Sequence, residues 1–198
     1  MVVSRSLGVA AEATLAFANA LAETLDARDR QSAGHSRVVA AYSVDIAEQL
    51  GLDAEQQLLA RACGLVHDIG KIGLPPGLLE KPGALTLAER RIMETHPAVG
   101  ERILAHWSYE PEIAHVVRHH HERWDGQGYP DGLSGEAIPM LSRIVAVAEA
   151  YDAMTSDQPY RDAMPSAVAR LELVRSVESR FDPSVVAAFE AVLEAQEP

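Results

Sequence analysis

The stretch Asp53-Ala54-Glu55-Gln56-Gln57-Leu58-Leu59-Ala60-Arg61-Ala62-Cys63-Gly64-Leu65-Val66-His67-Asp68-Ile69-Gly70-Lys71 decides how the chain is read. Asp53 followed by Gln56 is a capping-box pattern that opens a helix. Leu58, Leu59, Ala62, Leu65 and Val66 then recur at helical spacing. The helix is expected to end on His67-Asp68, with Gly70 and Gly73 breaking it. A helix end lets two adjacent side chains converge on one point, and the glycine is expected to leave space for a ligand. An imidazole beside a carboxylate suits a borderline divalent metal, and a carboxylate can bridge two ions. The plain alternative is a histidine favoured by the helix dipole at a C-terminus.

The rest of the chain extends the helical pattern outward from that stretch. Leu15, Ala18, Leu21, Ala22 and Leu25 predict a helix over about 5–28, and a second is expected over 34–50, ended by Gly51. After a stretch rich in proline and glycine, Thr86 with Glu89 makes another capping box and starts a helix reaching His96. Pro97 fits a kink or a first turn, because it has no N–H to donate. Pro111 opens a helix expected to carry His119-His120-His121, and further helices are expected over about 140–154, 166–180 and 183–195. The segment 124–139 is rich in glycine and proline, and so long an irregular segment is usually functional. No strand signal and no internal repeat is found, so the expectation is an all-α chain forming one domain over 1–198.

Composition narrows the function. Apolar residues make up 47% and aromatics only 5%, with Ala, Leu and Val dominant, which favours close helix packing. The single cysteine, Cys63, excludes an intramolecular disulfide, suggests a reducing compartment, and reads as a small core residue. No apolar run approaches the roughly 18 residues of a membrane span, so the expected location is cytoplasmic. A formal charge of −12 argues against duplex nucleic acid as a partner but leaves a small phosphorylated ligand open. Bound divalent metals can outweigh the local field at one site.

Candidate ligands besides His67 and Asp68 are His35, His96, His120, His121 and Asp152, on other predicted helices. Adjacent helical residues point about 100° apart, so one or two of the triple histidine must face inward. Buried imidazoles need partners, and a metal is a natural one. His115 with His119 at i, i+4 gives a competing zinc pattern, but it lacks the glutamate that would act as base. His106, His115 and His119 read instead as surface or core histidines.

Taken together, His67-Asp68-Ile69-Gly70-Lys71 and Gly128-Tyr129-Pro130 resemble the two defining motifs of HD-GYP domains. Leu78-Leu79-Glu80-Lys81-Pro82-Gly83, His96-Pro97 and Gly100 resemble that family's middle section. His120 to Gly126, Tyr151 to Ser156, Pro159-Tyr160-Arg161 and Phe181-Asp182-Pro183 continue it in order. The resemblance runs over about 29–189, leaving 1–28 as an N-terminal helix.

The resemblance implies an HD-domain helical bundle with its metal site between helices and a Gly/Pro-rich loop carrying Gly128-Tyr129-Pro130. It implies hydrolysis of cyclic di-GMP to pGpG, GMP or both, by water activated between two metals, with Asp68 and Lys71 catalytic. One metal would take His35, His67, Asp68 and Asp152; the other would take His96, His120 and His121, with Asp68 bridging. Lys71 and Arg161 would contact phosphate, and Gly128, Tyr129 and Pro130 would shape the substrate pocket or dock a diguanylate cyclase or another signalling protein. Iron or manganese is favoured, with zinc, nickel or cobalt open. Gln31 stands where relatives with a third metal carry Glu, so two metals are expected. Glu149 stands where the family usually has Asp, and is expected to act as a partner to the ligands rather than a ligand. A homodimer, another cyclic nucleotide as substrate, and a catalytically silent docking module remain the other readings.

Overall fold

In the computed structural model, residues 2–29, 34–81, 83–105, 107, 111–157 and 162–196 are described, with side chains from residue 11 onward. Gln31, Pro82, His106, Pro159, Tyr160 and Arg161 therefore lie outside the described residues. The order is α1 (Val2–Arg28), α2 (His35–Gln49), α3 (Ala54–Val66), a 3-10 turn (Ile69–Gly73), α4 (Pro76–Leu79), α5 (Leu87–Met93) and α6 (His96–Leu104). Then come α7 (Pro111–His119), a second 3-10 turn (Gly135–Ala137), α8 (Met140–Thr155), α9 (Ser166–Arg175) and α10 (Pro183–Gln196). Among the described residues there is no strand, only an isolated bridge between Val177 and Phe181. The all-α bundle expected from the sequence is the fold observed.

Local chemistry accounts for the boundaries. Asp53 caps α3 by accepting from the Gln56 N–H at 2.9 Å. Thr86 and Glu89 form the complete capping box at the start of α5. That helix does not run on to His96: it stops at Met93, and a new helix starts at His96 with Pro97 in its first turn. Pro97 has no N–H to bond the Met93 carbonyl, so the chain re-nucleates there. Two other expectations are corrected. The last turn of α7 is at His119, so His120 and His121 lie in the turn beyond it. The helix over 166–180 ends at Arg175, because the chain turns at 176–180 with Glu178 at φ 61°.

The core is built on α8, whose Leu141, Ile144, Val145, Val147, Ala148 and Tyr151 are buried. Tyr42, Tyr151 and Phe189 pack ring against ring at 5.0–5.5 Å, joining α2, α8 and α10. Cys63 is fully buried in this core, as its sequence context suggests. Around α8, the C-terminal end of α3, the N-terminus of α6 and the turn after α7 meet, and that meeting point carries the chemistry. No helix among the described residues is long and apolar enough to cross a membrane.

Candidate metal centre

His67 closes α3 and Asp68 follows it into the 3-10 turn; both are 1% exposed. The turn is pressed against the backbone of α6. A Cβ on Gly70 would stand 1.9 Å from the His96 carbonyl oxygen and 2.6 Å from the Gly100 nitrogen. The glycine thus leaves no room for a ligand, contrary to the expectation. It permits the backbone contact that brings His96 beside Asp68.

Three imidazoles are held in one tautomer by backbone carbonyls, which can only accept. His67 Nδ1 donates to Gly64 O at 2.8 Å, His96 Nδ1 to Met93 O at 2.9 Å, and His120 Nδ1 to Val117 O at 2.6 Å. Each therefore carries its lone pair on Nε2. His96 Nε2 and His120 Nε2 face each other at 3.2 Å. Two lone pairs at that distance repel unless a cation lies between them. Asp68 stands between the sets: Oδ1 is 3.2 Å from His96 Nε2, and Oδ2 is 3.5 Å from His67 Nε2 and 2.5 Å from Lys71 Nζ.

Two groups of donor atoms follow. Asp68, His96, His120 and His121 form one, and His35, His67 and Glu149 form the other; within each group the atoms lie within 4.8 Å of one another. His67 Nε2 and Asp68 Oδ1 are buried and have no hydrogen-bond partner. An unpartnered buried carboxylate oxygen and imidazole lone pair are costly, and a divalent cation satisfies both. The nitrogen and oxygen donors, without thiolate, suit a transition metal.

Two carboxylates of α8, Asp152 and Glu149, lie beside these groups. Asp152, expected as a ligand, is in neither group: its Oδ2 pairs with His35 Nδ1 at 2.5 Å, and its Oδ1 accepts from Ser156 Oγ at 3.1 Å. Both its oxygens thus have a partner, one of them the His35 ring. Glu149, one turn earlier on α8, reaches the second group and lies 3.9 Å from His121 Nε2. Sequence spacing alone does not separate these residues, because both lie three apart on one side of a helix.

The electrostatics suit cation binding. Burial works to raise the Asp68 carboxyl, but the Lys71 ammonium beside it holds it well below the usual range. Burial, and then the neighbouring His121 and His96, push His120 well down. His121 is pushed down to about 4, mainly by burial, with Glu149 opposing. Both rings are therefore neutral and available as donors near neutral pH.

The loop carrying Gly128-Tyr129-Pro130 is folded onto this turn. A Cβ on Gly128 would lie 2.4 Å from the Arg123 nitrogen and 2.6 Å from the His121 carbonyl oxygen, so only glycine fits. The Tyr129 ring lies 4.9 Å from the His121 ring at 31°, and the peptide to Pro130 is cis. Burial, then the charge of Glu149, raises the Tyr129 phenol. Glu122, which the sequence reading did not single out, anchors the loop: Oε1 accepts from the N–H groups of Asp131 at 2.7 Å and Gly132 at 3.0 Å. His119 points away from the centre, donating from Nδ1 to His115 O and pairing with Asp131. A third set of donors, His119, Glu122 and Asp131, is already engaged, since Arg118 grips Asp131 through two bonds of 2.6 and 2.8 Å.

This geometry can be set beside known proteins. The HD domain family matches residues 19–185. The chain belongs to the HD-domain family. Among curated HD-domain relatives, it is 40% identical over 171 residues to the cyclic di-GMP phosphodiesterase response regulator RpfG of Xanthomonas campestris, covering 85% of this chain and 45% of that protein. It is 37% identical over 174 residues to 3'3'-cGAMP-specific phosphodiesterase 3 of Vibrio cholerae, covering 88% of this chain and 38% of that protein. The chain thus spans under half the length of these relatives. Its fold is similar to that of Bd1817, described as an HDG"Y"P protein of Bdellovibrio bacteriovorus, with a TM-score of 0.67 at 21% identity, covering 81% of this chain and 51% of that one. With both motifs in place, this HD-domain chain is of the HD-GYP type.

Proposed function

We propose that the protein is a phosphodiesterase that hydrolyses cyclic di-GMP at a centre of two divalent metals. The observation that carries this reading is Asp68, whose two oxygens face two separate groups of inward-pointing donors. His96, His120 and His121 would hold one ion and His35, His67 and Glu149 the other, with Asp68 shared. Two such ions supply Lewis-acid charge on phosphoryl oxygens and lower the pKa of water near neutrality. Manganese and iron suit a histidine and carboxylate set without thiolate.

The chain's own residues supply orientation and charge. Asp152 holds His35, and backbone carbonyls hold His67, His96 and His120, so the donors are set before ligand arrives. Lys71, 18% exposed at the side chain, places an ammonium beside Asp68 where it can neutralise a non-bridging phosphate oxygen. Tyr129, seated on His121, offers a ring for a nucleobase, so Gly128, Tyr129 and Pro130 border the substrate. A signalling protein such as a diguanylate cyclase would meet the exposed edge of the same loop, at Gln127 and Asp131. The Vibrio cholerae relative favours a second reading, in which the substrate is a mixed cyclic dinucleotide at the same centre.

The test incubates manganese- or iron-loaded protein with cyclic di-GMP under reducing conditions and separates the products by chromatography. Linear pGpG or GMP is expected from the wild type and not from Asp68→Ala. Absence of turnover by the wild type refutes the enzyme reading. Turnover that survives Asp68→Ala refutes the assigned centre.

A further inference from the structure

The groups that hold metal do not end at the metals. A cavity of about 150 Å³ is lined by His120, His121 and Glu149 at its inner end. A second, of about 390 Å³, lies against Met154, Met164 and Glu172. Ala150, Ala153, Arg180 and Phe181 line both, so the two make one trough leading away from the centre.

Its floor is a single face of α8. Ala146, Glu149, Ala150 and Ala153 follow the i, i+3, i+4, i+7 pattern of one helical side. Alanine at three of these positions keeps the trough open where longer side chains would fill it. At 1.5 Å rise per residue, the floor is about 10 Å long and extends about 6 Å beyond Glu149. The outer cavity falls within the range of roughly 300–1,000 Å³ for small-molecule pockets, whereas the inner one is too small to serve alone.

The walls have a specific chemistry. Arg180 has no carboxylate partner among the described residues, although the chain carries a net charge of −12. It is held by its own backbone, whose carbonyl accepts from the Trp124 N–H at 3.1 Å, and its guanidinium lies 5.1 Å from the Phe181 ring centroid. Arg123, the other arginine nearby, is tied to Asp125 by two bonds. Across the outer cavity, Glu172 Oε1 accepts from Arg175 at 2.8 Å, and its other oxygen has no partner among the described residues. Apolar walls from Met154, Met164 and Phe181 complete the pocket. A planar base with acceptors on one edge and donors on another fits a guanidinium, a carboxylate and apolar faces. Guanine offers O6 and N7 to arginine, whereas adenine presents an amino group in place of O6.

We propose that this trough reads the base of the second nucleotide of a cyclic dinucleotide, with Arg180 and Glu172 selecting guanine. The proposal rests on the phosphodiesterase reading and adds to it which base is recognised and by which residues. Glu172 is in neither group of metal-holding donors and Arg180 is no metal donor, so both would act in substrate binding, and their loss is expected in KM rather than kcat.

The test measures kcat and KM of the metal-loaded protein for cyclic di-GMP, cyclic di-AMP and bis(p-nitrophenyl) phosphate, a diester without bases. Wild type, Arg180→Ala and Glu172→Gln are compared. In Arg180→Ala, KM for cyclic di-GMP is expected to rise about tenfold or more, and the preference over cyclic di-AMP to fall in proportion. Glu172→Gln is expected to shift that preference in the same direction. An unchanged preference in both variants, with active wild type, overturns the base-reading pocket alone. A fall in kcat/KM shared equally by bis(p-nitrophenyl) phosphate overturns it too, because that marks a structural fault. Wild type that cleaves bis(p-nitrophenyl) phosphate but no cyclic dinucleotide overturns the substrate reading, and this proposal with it.

Discussion

The proposed roles of Asp152 as an orienting group and Glu149 as a ligand have a measurable consequence. Among the described residues, the contact of Asp152 with the candidate ligands is to His35 Nδ1, at 2.5 Å and with the Asp152 side chain 8% exposed. Asp152→Asn keeps the shape but removes the charge that orients His35. Loss of such an orienting partner weakens metal affinity about 10- to 100-fold, or about 1.4–2.7 kcal/mol. The ion should still bind at saturating concentration. Glu149 is one of three donors in its group, so Glu149→Ala leaves only His35 and His67 beside the shared Asp68. That variant should lose one equivalent of metal per chain outright. Titration calorimetry with manganese gives the affinities, and elemental analysis after gel filtration gives the stoichiometry. If Asp152→Asn loses a whole equivalent while Glu149→Ala keeps both, the assignment of orienting and ligating carboxylates is refuted.

Two further perturbations test the frame. Gly70→Ala drives a Cβ into the His96 and Gly100 backbone, which cannot yield as a side chain would, so a loss of about 3 kcal/mol or more is expected in denaturant unfolding; a loss below about 1 kcal/mol would show that the 3-10 turn can slide away from α6. The Glu89 carboxyl is held down to about 2 by Lys81 and then by Thr86. A depressed folded pKa contributes stability that is complete above the unfolded value and is lost as pH falls through the folded one. Amide protection factors in α5, with the intrinsic exchange rate divided out, should therefore fall as pH drops from about 4.5 toward 2, and Glu89→Gln should abolish that acid step; an identical step in the variant would place its origin elsewhere.

Most of the fold was legible because its signals are local. Asp53, Thr86, Pro97 and Pro111 each mark a helix start through a hydrogen bond made or a donor missing, and spacing alone reveals them. The misread ends have longer-range causes. The α9 helix stops at Arg175 where the chain turns back, with Val177 bridging to Phe181 and the 179–180 carbonyls accepting from Trp124 and Asp125. At the centre, the order of motifs singled out His67, Asp68, His96, His120 and His121, which the fold brings together. The roles of Glu149 and Asp152 depend on how α8 is rotated against α2, and no local pattern encodes that rotation. Glu122 was missed for the same reason: its work is to accept the N–H groups of Asp131 and Gly132, nine and ten residues later in the loop.

A common device explains why the centre lies where helices end. The last carbonyls of a helix have no intrahelical donor. Gly64, Met93 and Val117 sit in the last turns of α3, α5 and α7, and each carbonyl receives the Nδ1–H of a histidine three residues on. At Met93 the need is plainest, because the residue four ahead is Pro97, which has no N–H. One bond thus satisfies a stranded carbonyl, fixes the imidazole tautomer and turns Nε2 inward. Three helix ends meeting around Asp68 then bring three oriented Nε2 atoms beside one carboxylate, where cations would be shared between them, with no loop to order first. The same economy accounts for His67-Asp68 as a unit. The histidine closes the helix, and the residue after it, at φ −93° and ψ 3°, is the first free to leave the helical path. That step out of the helix places the Asp68 carboxylate where it faces donors from both sides.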